Sequence, residues 1–194
     1  MIESTIQLNF GCGYEYKLGY INIDIDKNTE PDMLISADQT TLDFKASSVD
    51  YIFSKYCLEH IDRSSIQKLL TEFYRILKPG GILEIYVPHF TGIAIKHLDH
   101  KTMFGIGSFD GFNLKHKDRT MSNTQYPKFK LEKEELHILP TQPTEFLFPS
   151  LVKFTSILDY FINVGRNSKQ FWEKFFPGGF EEIHFILIKP GEKK

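Results

Sequence analysis

Two glycines, a strand-end acid and a group of histidines are the residues of this chain whose types and spacing could do chemistry. Leu8-Asn9-Phe10-Gly11-Cys12-Gly13 is an apolar run that breaks into a glycine turn, and Gly19-Tyr20-Ile21-Asn22-Ile23-Asp24 is a second apolar run that ends on an acid. Glycines let a backbone approach a ligand closely, and an acid at the carboxyl end of a parallel strand can accept hydrogen bonds from ribose hydroxyls. The pair therefore suits an adenosine-containing ligand, with Asp24 as the ribose acceptor and Asp26 as the nearby fallback. A dinucleotide fingerprint, Gly-x-Gly-x-x-Gly, is broken at Tyr16. Nothing marks Cys12 as a lowered-pKa nucleophile, so it is expected to pack within the turn.

Proton transfer would fall to histidine, whose pKa lies near neutral pH, provided that the ring reaches the proton it takes. His89, His97, His100, His116 and His137 all fall between the expected fifth and sixth strands, in a region that should overhang the carboxyl ends of the sheet. His89 directly follows Val87-Pro88 at a strand end and is the first candidate base; His100 is the second. Glu59-His60 permits a metal reading. Tyr56, three residues before Glu59, supplies no second hard anionic ligand, which argues against Mg²⁺. No metal is expected, and Glu59 and His60 are assigned a capping or packing role.

The elements that must position these groups are visible as short β-rich apolar runs at Thr5–Phe10, Tyr20–Ile25, Met33–Ser36, Val49–Ser54 and Gly81–Val87. Several are continuous rather than alternating, as in strands buried on both faces of a parallel sheet. Ser64 to Leu77 predicts a helix, with Ile66, Leu69, Leu70, Phe73, Ile76 and Leu77 on one face. Ser64 with Gln67 reads as its capping box and Pro79-Gly80-Gly81 as its stop. The connection from Gly11 to Tyr20 has room for little more than one helical turn, whereas parallel strands usually need a longer crossover. The usual first helix must be vestigial.

Beyond residue 88 the pattern is less regular. A short helix is expected from Ser108 and a strand over Lys128–Glu134. A helix should run from Pro149 to about Val164, with Leu151, Phe154, Leu158 and Phe161 as its core or pocket-covering stripe. A second should span Ser168–Phe176 before Pro177-Gly178-Gly179, and Ile183–Ile188 should be a last buried strand.

At 194 residues and a net charge of −2, the chain suits one domain and has no global attraction to nucleic acid or anionic membrane. The basic residues between Lys96 and Arg119 are interrupted by Asp99, Asp110 and Asp118, so they read as a solvated face. The two cysteines, Cys12 and Cys57, form no disulfide framework. No apolar run is long enough to span a bilayer. The residues before Gln7 carry no signal-peptide pattern, so a cytoplasmic location is expected.

Together these residues resemble class I S-adenosylmethionine-dependent methyltransferases, in particular the methyltransferase type 11-like branch. The resemblance rests on the glycine turn, on Asn22-Ile23-Asp24, on Asp38-Gln39-Thr40-Thr41-Leu42-Asp43-Phe44, and on Ser48-Val49-Asp50-Tyr51-Ile52. It extends through Leu58-Glu59-His60 to Leu77-Lys78-Pro79-Gly80-Gly81. Asp43 stands where the family usually has Pro. The resemblance implies an α/β, Rossmann-like fold: a mostly parallel twisted sheet with an antiparallel last strand and a helical insertion before it. It implies S-adenosyl-L-methionine as cofactor, bound by Gly11, Cys12, Gly13, Asp24, Ile25, Asp38, Gln39 and Ser54. Residues 1–88 would form the cofactor-binding half and about 89–182 the acceptor side of one domain. The partner would be a small-molecule methyl acceptor bearing oxygen or nitrogen, with no nucleic acid. The alternatives are a non-catalytic cofactor-binding scaffold and a nicotinamide-dependent oxidoreductase.

Overall fold

A computed structural model of the chain describes residues 5–35, 39–115, 126–139, 149–176 and 179–191. Seven strands form one sheet: β1 (Gln7–Phe10), β2 (Ile21–Asp24), β3 (Met33–Leu34), β4 (Val49–Lys55), β5 (Leu77–Pro88), β6 (Lys130–His137) and β7 (Glu182–Ile188). Their order is β3-β2-β1-β4-β5-β7-β6, and the first five pair in parallel. β7 runs antiparallel to both β5 and β6. The expected Rossmann-like sheet with an antiparallel last strand is therefore present, and α2 (Pro149–Ile162) and α3 (Arg166–Phe175) form the helical insertion before that strand.

The helix between β4 and β5, α1 (Arg63–Ile76), is amphipathic as its spacing predicts. Ile66, Leu69, Leu70, Phe73 and Ile76 are buried, with the Phe73 ring edge-on to Phe10 of β1 at 5.1 Å. Its cap differs from the expected box. Asp62, not Ser64, is the N-cap, and its Oδ1 accepts from the amides of Ser64 and Ser65 at 3.1 and 3.0 Å. The helix also ends before Pro79: Leu77 is already extended, and Leu77-Lys78-Pro79-Gly80 opens β5 instead of forming a separate stop. Proline disfavours the α conformation in the residue before it, which pushes Lys78 into the extended region and ends the helix.

No helix lies between β1 and β2. A buried polar network holds this short crossover instead. The Asn9 side-chain amide donates to Asn22 Oδ1 at 2.8 Å and to the Glu15 carbonyl at 2.9 Å. Asn22 Oδ1 also accepts from the Lys17 amide, and the Asn22 amide and side chain both donate to Asp32 Oδ2. Buried amide groups must find such partners, and here they fasten the loop to the strands on either side.

The second half departs further from expectation. Residues 110–112 form a single 3-10 turn where a helix from Ser108 was expected, and the sixth strand begins at Lys130 and runs to His137. The stripe on α2 holds only in part: Leu158 is partly buried and packs against the core, whereas Phe154 and Phe161 are exposed and Thr155 and Ile162 are buried; the Leu151 side chain lies outside the described residues. α2 packs against β6. Among the described residues no helix is long and apolar enough to cross a membrane.

On one face of the sheet Glu84 of β5 gathers three groups. His184 Nε2 lies 2.8 Å from its carboxylate, Tyr86 donates at 3.0 Å, and Tyr51 donates as well. These bonds, His184 foremost, hold the Glu84 carboxyl down at about 2 against an ordinary 4.5. A carboxylate with a depressed pKa contributes stability that is present above pH 4.5 and lost as the pH falls toward 2. Glu84→Gln is expected to flatten the fall of unfolding free energy over that window, measured by urea denaturation at stepped pH.

Candidate functional site

The carboxyl ends of β1, β2 and β4 and the N-terminus of α1 enclose a cavity of about 290 Å³, lined among others by Gly11, Gly13, Asp24, Ile25, Gln39, Tyr56, His60 and Lys101. Ligands of open α/β sheets bind at this end of the strands.

The glycine turn is shaped by the chain around it. The amides of Gly11 and Cys12 both donate to the Ile23 carbonyl, at 2.8 and 3.0 Å, so the loop folds back over the end of β2. Gly11 has φ +69°, and a side chain there would also collide with Cys57. Gly13 has φ +48° and nothing near its missing Cβ, so at that position the backbone meets open space. The Gly13 amide donates to Asp24 Oδ2 at 2.7 Å, while Oδ1 of Asp24 accepts from Ile25 and Asp26 at 2.7 and 2.9 Å. A carboxylate has about four acceptor positions, so three amides fix its orientation and still leave capacity for a ligand hydroxyl.

The opposite wall is fixed from α1. Glu72 is buried and accepts from the Leu42 amide at 2.7 Å, and Arg75 donates to both Glu72 and the carbonyls of Leu42 and Phe44. This clamp holds residues 42–44 to the helix and thereby places Gln39 and Thr40 at the cavity rim. The Gln39 side chain donates to the Thr41 carbonyl.

The eight expected cofactor residues separate into three groups. Gly11, Gly13, Asp24, Ile25 and Gln39 line the cavity. Cys12 and Ser54 do not: they are 4 % and 1 % exposed and lie beneath its surface. Asp38 lies outside the described residues. Tyr56, Cys57, His60, Ile61, Asp62, Ser65, Leu69 and Lys101 line the cavity without having been assigned a cofactor role. The Leu-Glu-His run marked part of this wall in the sequence, and Asp99-His100-Lys101 resembles a segment that follows the fifth strand in some members of the same branch, although no cofactor role was assigned to Lys101. Burial raises both cysteine thiols above their ordinary pKa, Cys57 to about 12, so neither is a thiolate nucleophile at neutral pH.

His89 does not face this cavity, contrary to expectation. It is fully buried, with Nδ1 2.8 Å from Thr91 Oγ1 and Nε2 3.0 Å from Glu173 Oε1. Glu173 Oε1 also accepts from the Ile106 amide. With both nitrogens engaged, His89 joins α3 to the loop after β5 and has no lone pair to offer an acceptor.

His100 lies elsewhere. The amides of Lys101 and Thr102 donate to the Glu59 carbonyl at 2.7 and 3.1 Å, docking this segment onto the 3-10 turn Leu58–His60. The result is a second cavity, of about 350 Å³, lined by Tyr56, Glu59, His60, Pro88, Ala94, His97, Asp99, His100 and Glu181. Tyr56 and His60 line both cavities. Burial and the neighbouring His60 lower the His100 pKa, so the ring is neutral at pH 7.

Residues 8–85 match the family model of a methyltransferase domain. No curated protein matches the chain. Among solved structures, phosphoethanolamine N-methyltransferase 2 of Haemonchus contortus, in complex with S-adenosyl-L-methionine, superposes with a TM-score of 0.56 at 15% identity; the alignment covers 98% of this chain and 50% of that one. A SAM-dependent methyltransferase of Archaeoglobus fulgidus gives 0.59 at 14% identity, over 96% of this chain and 87% of that one. An S-adenosylmethionine-dependent methyltransferase of Mesorhizobium loti gives 0.55 at 13%, over 97% and 93%. The chain thus spans about half the length of the Haemonchus enzyme and most of the other two. It therefore carries a segment similar to a methyltransferase domain, set in a fold shared with S-adenosylmethionine-dependent methyltransferases of known structure.

Proposed function

We propose that this chain transfers a methyl group from S-adenosyl-L-methionine to a small-molecule oxygen or nitrogen acceptor. The observation that carries the reading is the Gly11–Gly13 turn closed over Asp24 at the carboxyl end of β2, facing a cavity with apolar walls at Phe10, Ile35 and Leu69. The residues present suit the cofactor. Asp24 has acceptor capacity left for ribose hydroxyls, and the bare backbone at Gly13 allows close approach. Ile25, Ile35 and Gln39 offer an apolar and amide-bearing rim for a base. When bound, the cofactor supplies an electrophilic methyl on a sulfonium.

The chain's own contribution is positioning and exclusion of water, which can account for much of the rate in a displacement between two held reactants. The second cavity is assigned to the acceptor because it adjoins the first at Tyr56 and His60. His100 borders it with a neutral ring, and His89 acts as a positioning residue through Glu173. The Haemonchus enzyme, a structural neighbour, has been solved in complex with phosphomonomethylethanolamine and S-adenosylhomocysteine; the acceptor here is assigned only to the same broad class of small molecules.

Ligand-dependent melting tests the donor. At about 100 times Kd, S-adenosylmethionine or its demethylated product should add about 2.7 kcal/mol, raising Tm by roughly 5–11 °C. NAD should give no shift; a shift with NAD alone would overturn the reading. Transfer itself is tested by supplying labelled methyl donor with extract fractions and looking for a labelled small product. Tight donor binding without transfer to any fraction would favour the scaffold alternative.

Asp24→Ala removes a charge-assisted acceptor, worth about 1.5–3 kcal/mol, and should weaken donor binding about 10–150-fold in a calorimetric titration. Unchanged affinity would remove Asp24 from the site.

The two glycines should separate fold from binding. Gly11→Ala meets both a positive φ and the Cys57 side chain, so it should cost about 1–3 kcal/mol more in urea denaturation than Gly13→Ala. Gly13→Ala carries only the strain of its φ of +48°, since its methyl enters open space, and should in addition weaken donor binding.

A further inference from the structure

We propose that Glu59, His60 and His100 form a divalent-metal site beside the donor cavity, taking a borderline ion such as Zn²⁺ through one carboxylate oxygen and two imidazole nitrogens. One ligand atom from each residue lies within 4.8 Å of the others. Zinc binds nitrogen and oxygen at about 2.0–2.2 Å, so its ligand atoms stand roughly 3.3 Å apart, and small side-chain rotations close the difference.

Buried atoms lacking hydrogen-bond partners point to an occupant. Glu59 is 2 % exposed, and its Oε2 has no hydrogen-bond partner among the described residues. Nδ1 of His100 is likewise buried and unpartnered. Native interiors rarely leave such groups unsatisfied, and an unseen ion is one of the standard reasons when they do. Both atoms belong to the same three-residue cluster.

The third ligand is oriented from outside. Asp99 Oδ2 lies 3.1 Å from His60 Nδ1, which leaves Nε2 facing Glu59, 4.0 Å from Oε1. A carboxylate on the far nitrogen of a histidine is the usual way that a metal-binding ring is held in its tautomer and orientation.

The donor set selects the ion. Two imidazoles and one carboxylate suit zinc or a neighbouring transition metal, whereas Mg²⁺ prefers oxygen ligands and retained water. Three protein ligands leave at least one coordination position open. The three residues also line the second cavity. If that cavity receives the acceptor, as proposed above, the open position would take an oxygen donor of that molecule, such as a hydroxylate or carboxylate. The metal site itself does not depend on that reading.

A second cluster, Glu135, His137 and His184, meets the same distance criterion. There Glu135 is already paired with Lys133 at 2.9 Å, and His184 Nε2 is engaged by Glu84. A cation held by the carboxylate makes this the poorer site, and it serves as the control.

The test is a titration of Zn²⁺ alone into the full, EDTA-stripped chain against a chromophoric chelator. One equivalent should bind. Asp99→Asn alters an exposed side chain and should keep the fold, yet weaken binding about 10–100-fold. His100→Ala and Glu59→Gln should weaken it more, and His137→Ala should leave it unchanged. In the wild type Zn²⁺ should raise Tm; in His100→Ala that rise should disappear. Absence of stoichiometric binding by the wild type, wild-type affinity in His100→Ala, or loss of binding in His137→Ala would each overturn the site. Binding of S-adenosylhomocysteine, measured separately in the same preparation, reports the donor reading, so failure of one proposal is distinguishable from failure of the other.

Discussion

The hydrogen bond between the side chains of Asn9 and Asn22, 2.8 Å long and buried between two parallel strands, is the constraint on which the cavity at the strand ends depends. Parallel neighbours normally receive a helix in the crossover, and that helix both spans the distance and covers the sheet. Here the connection is too short for one. Asn9 holds the Glu15 carbonyl, Asn22 holds Lys17 and reaches Asp32, and the loop is drawn tightly over the strand ends. Gly11 and Gly13 then have only one path, back across Ile23 and onto the Asp24 carboxylate. Polar bonds do the work that helix packing does elsewhere, and an unsatisfied amide in this position would carry the full cost of desolvation.

The remaining walls are attached to that turn by equally local devices. Asp62 caps α1 and lines the cavity, so the start of the helix and the edge of the site are the same residue. Glu72 and Arg75, a turn or more along α1, fasten the rim segment. The Glu59 carbonyl receives the loop after β5, and His89 with Glu173 ties α3 to it. The second cavity is thus assembled from residues 56–60, 88–100 and 181, whereas the first draws mostly on the glycine turn, the end of β2 and the start of α1.

That difference explains what could be read in advance. The glycine turn, the strand-end acid and the amphipathic face of α1 are local patterns whose meaning follows from backbone geometry and helical period. They were legible, as was the order of strands and helices. His89 illustrates the opposite case. Its position at a strand end suggested exposure to substrate, but whether a ring at that point meets the cleft or the interior depends on Glu173, far away in sequence. α2 departs in part for a related reason: with aromatics on two sides, composition could not say which side meets β6, and Leu158 packs inward beside Thr155 and Ile162 while Phe154 and Phe161 stay exposed.

The sequence by itself determined the class of the sheet and the glycine turn that faces the cavity at the strand ends. These rest on neighbours within a few residues, where covalent spacing restricts the outcomes to a handful. Only the tertiary structure decided that His89 is sealed, that Cys12 and Ser54 lie beneath the cavity, and that His100 stands against Glu59 and His60. Those outcomes depend on which loop docks on which carbonyl. Such a choice is made by packing and hydrogen bonding summed over distant segments, and no local spacing records it.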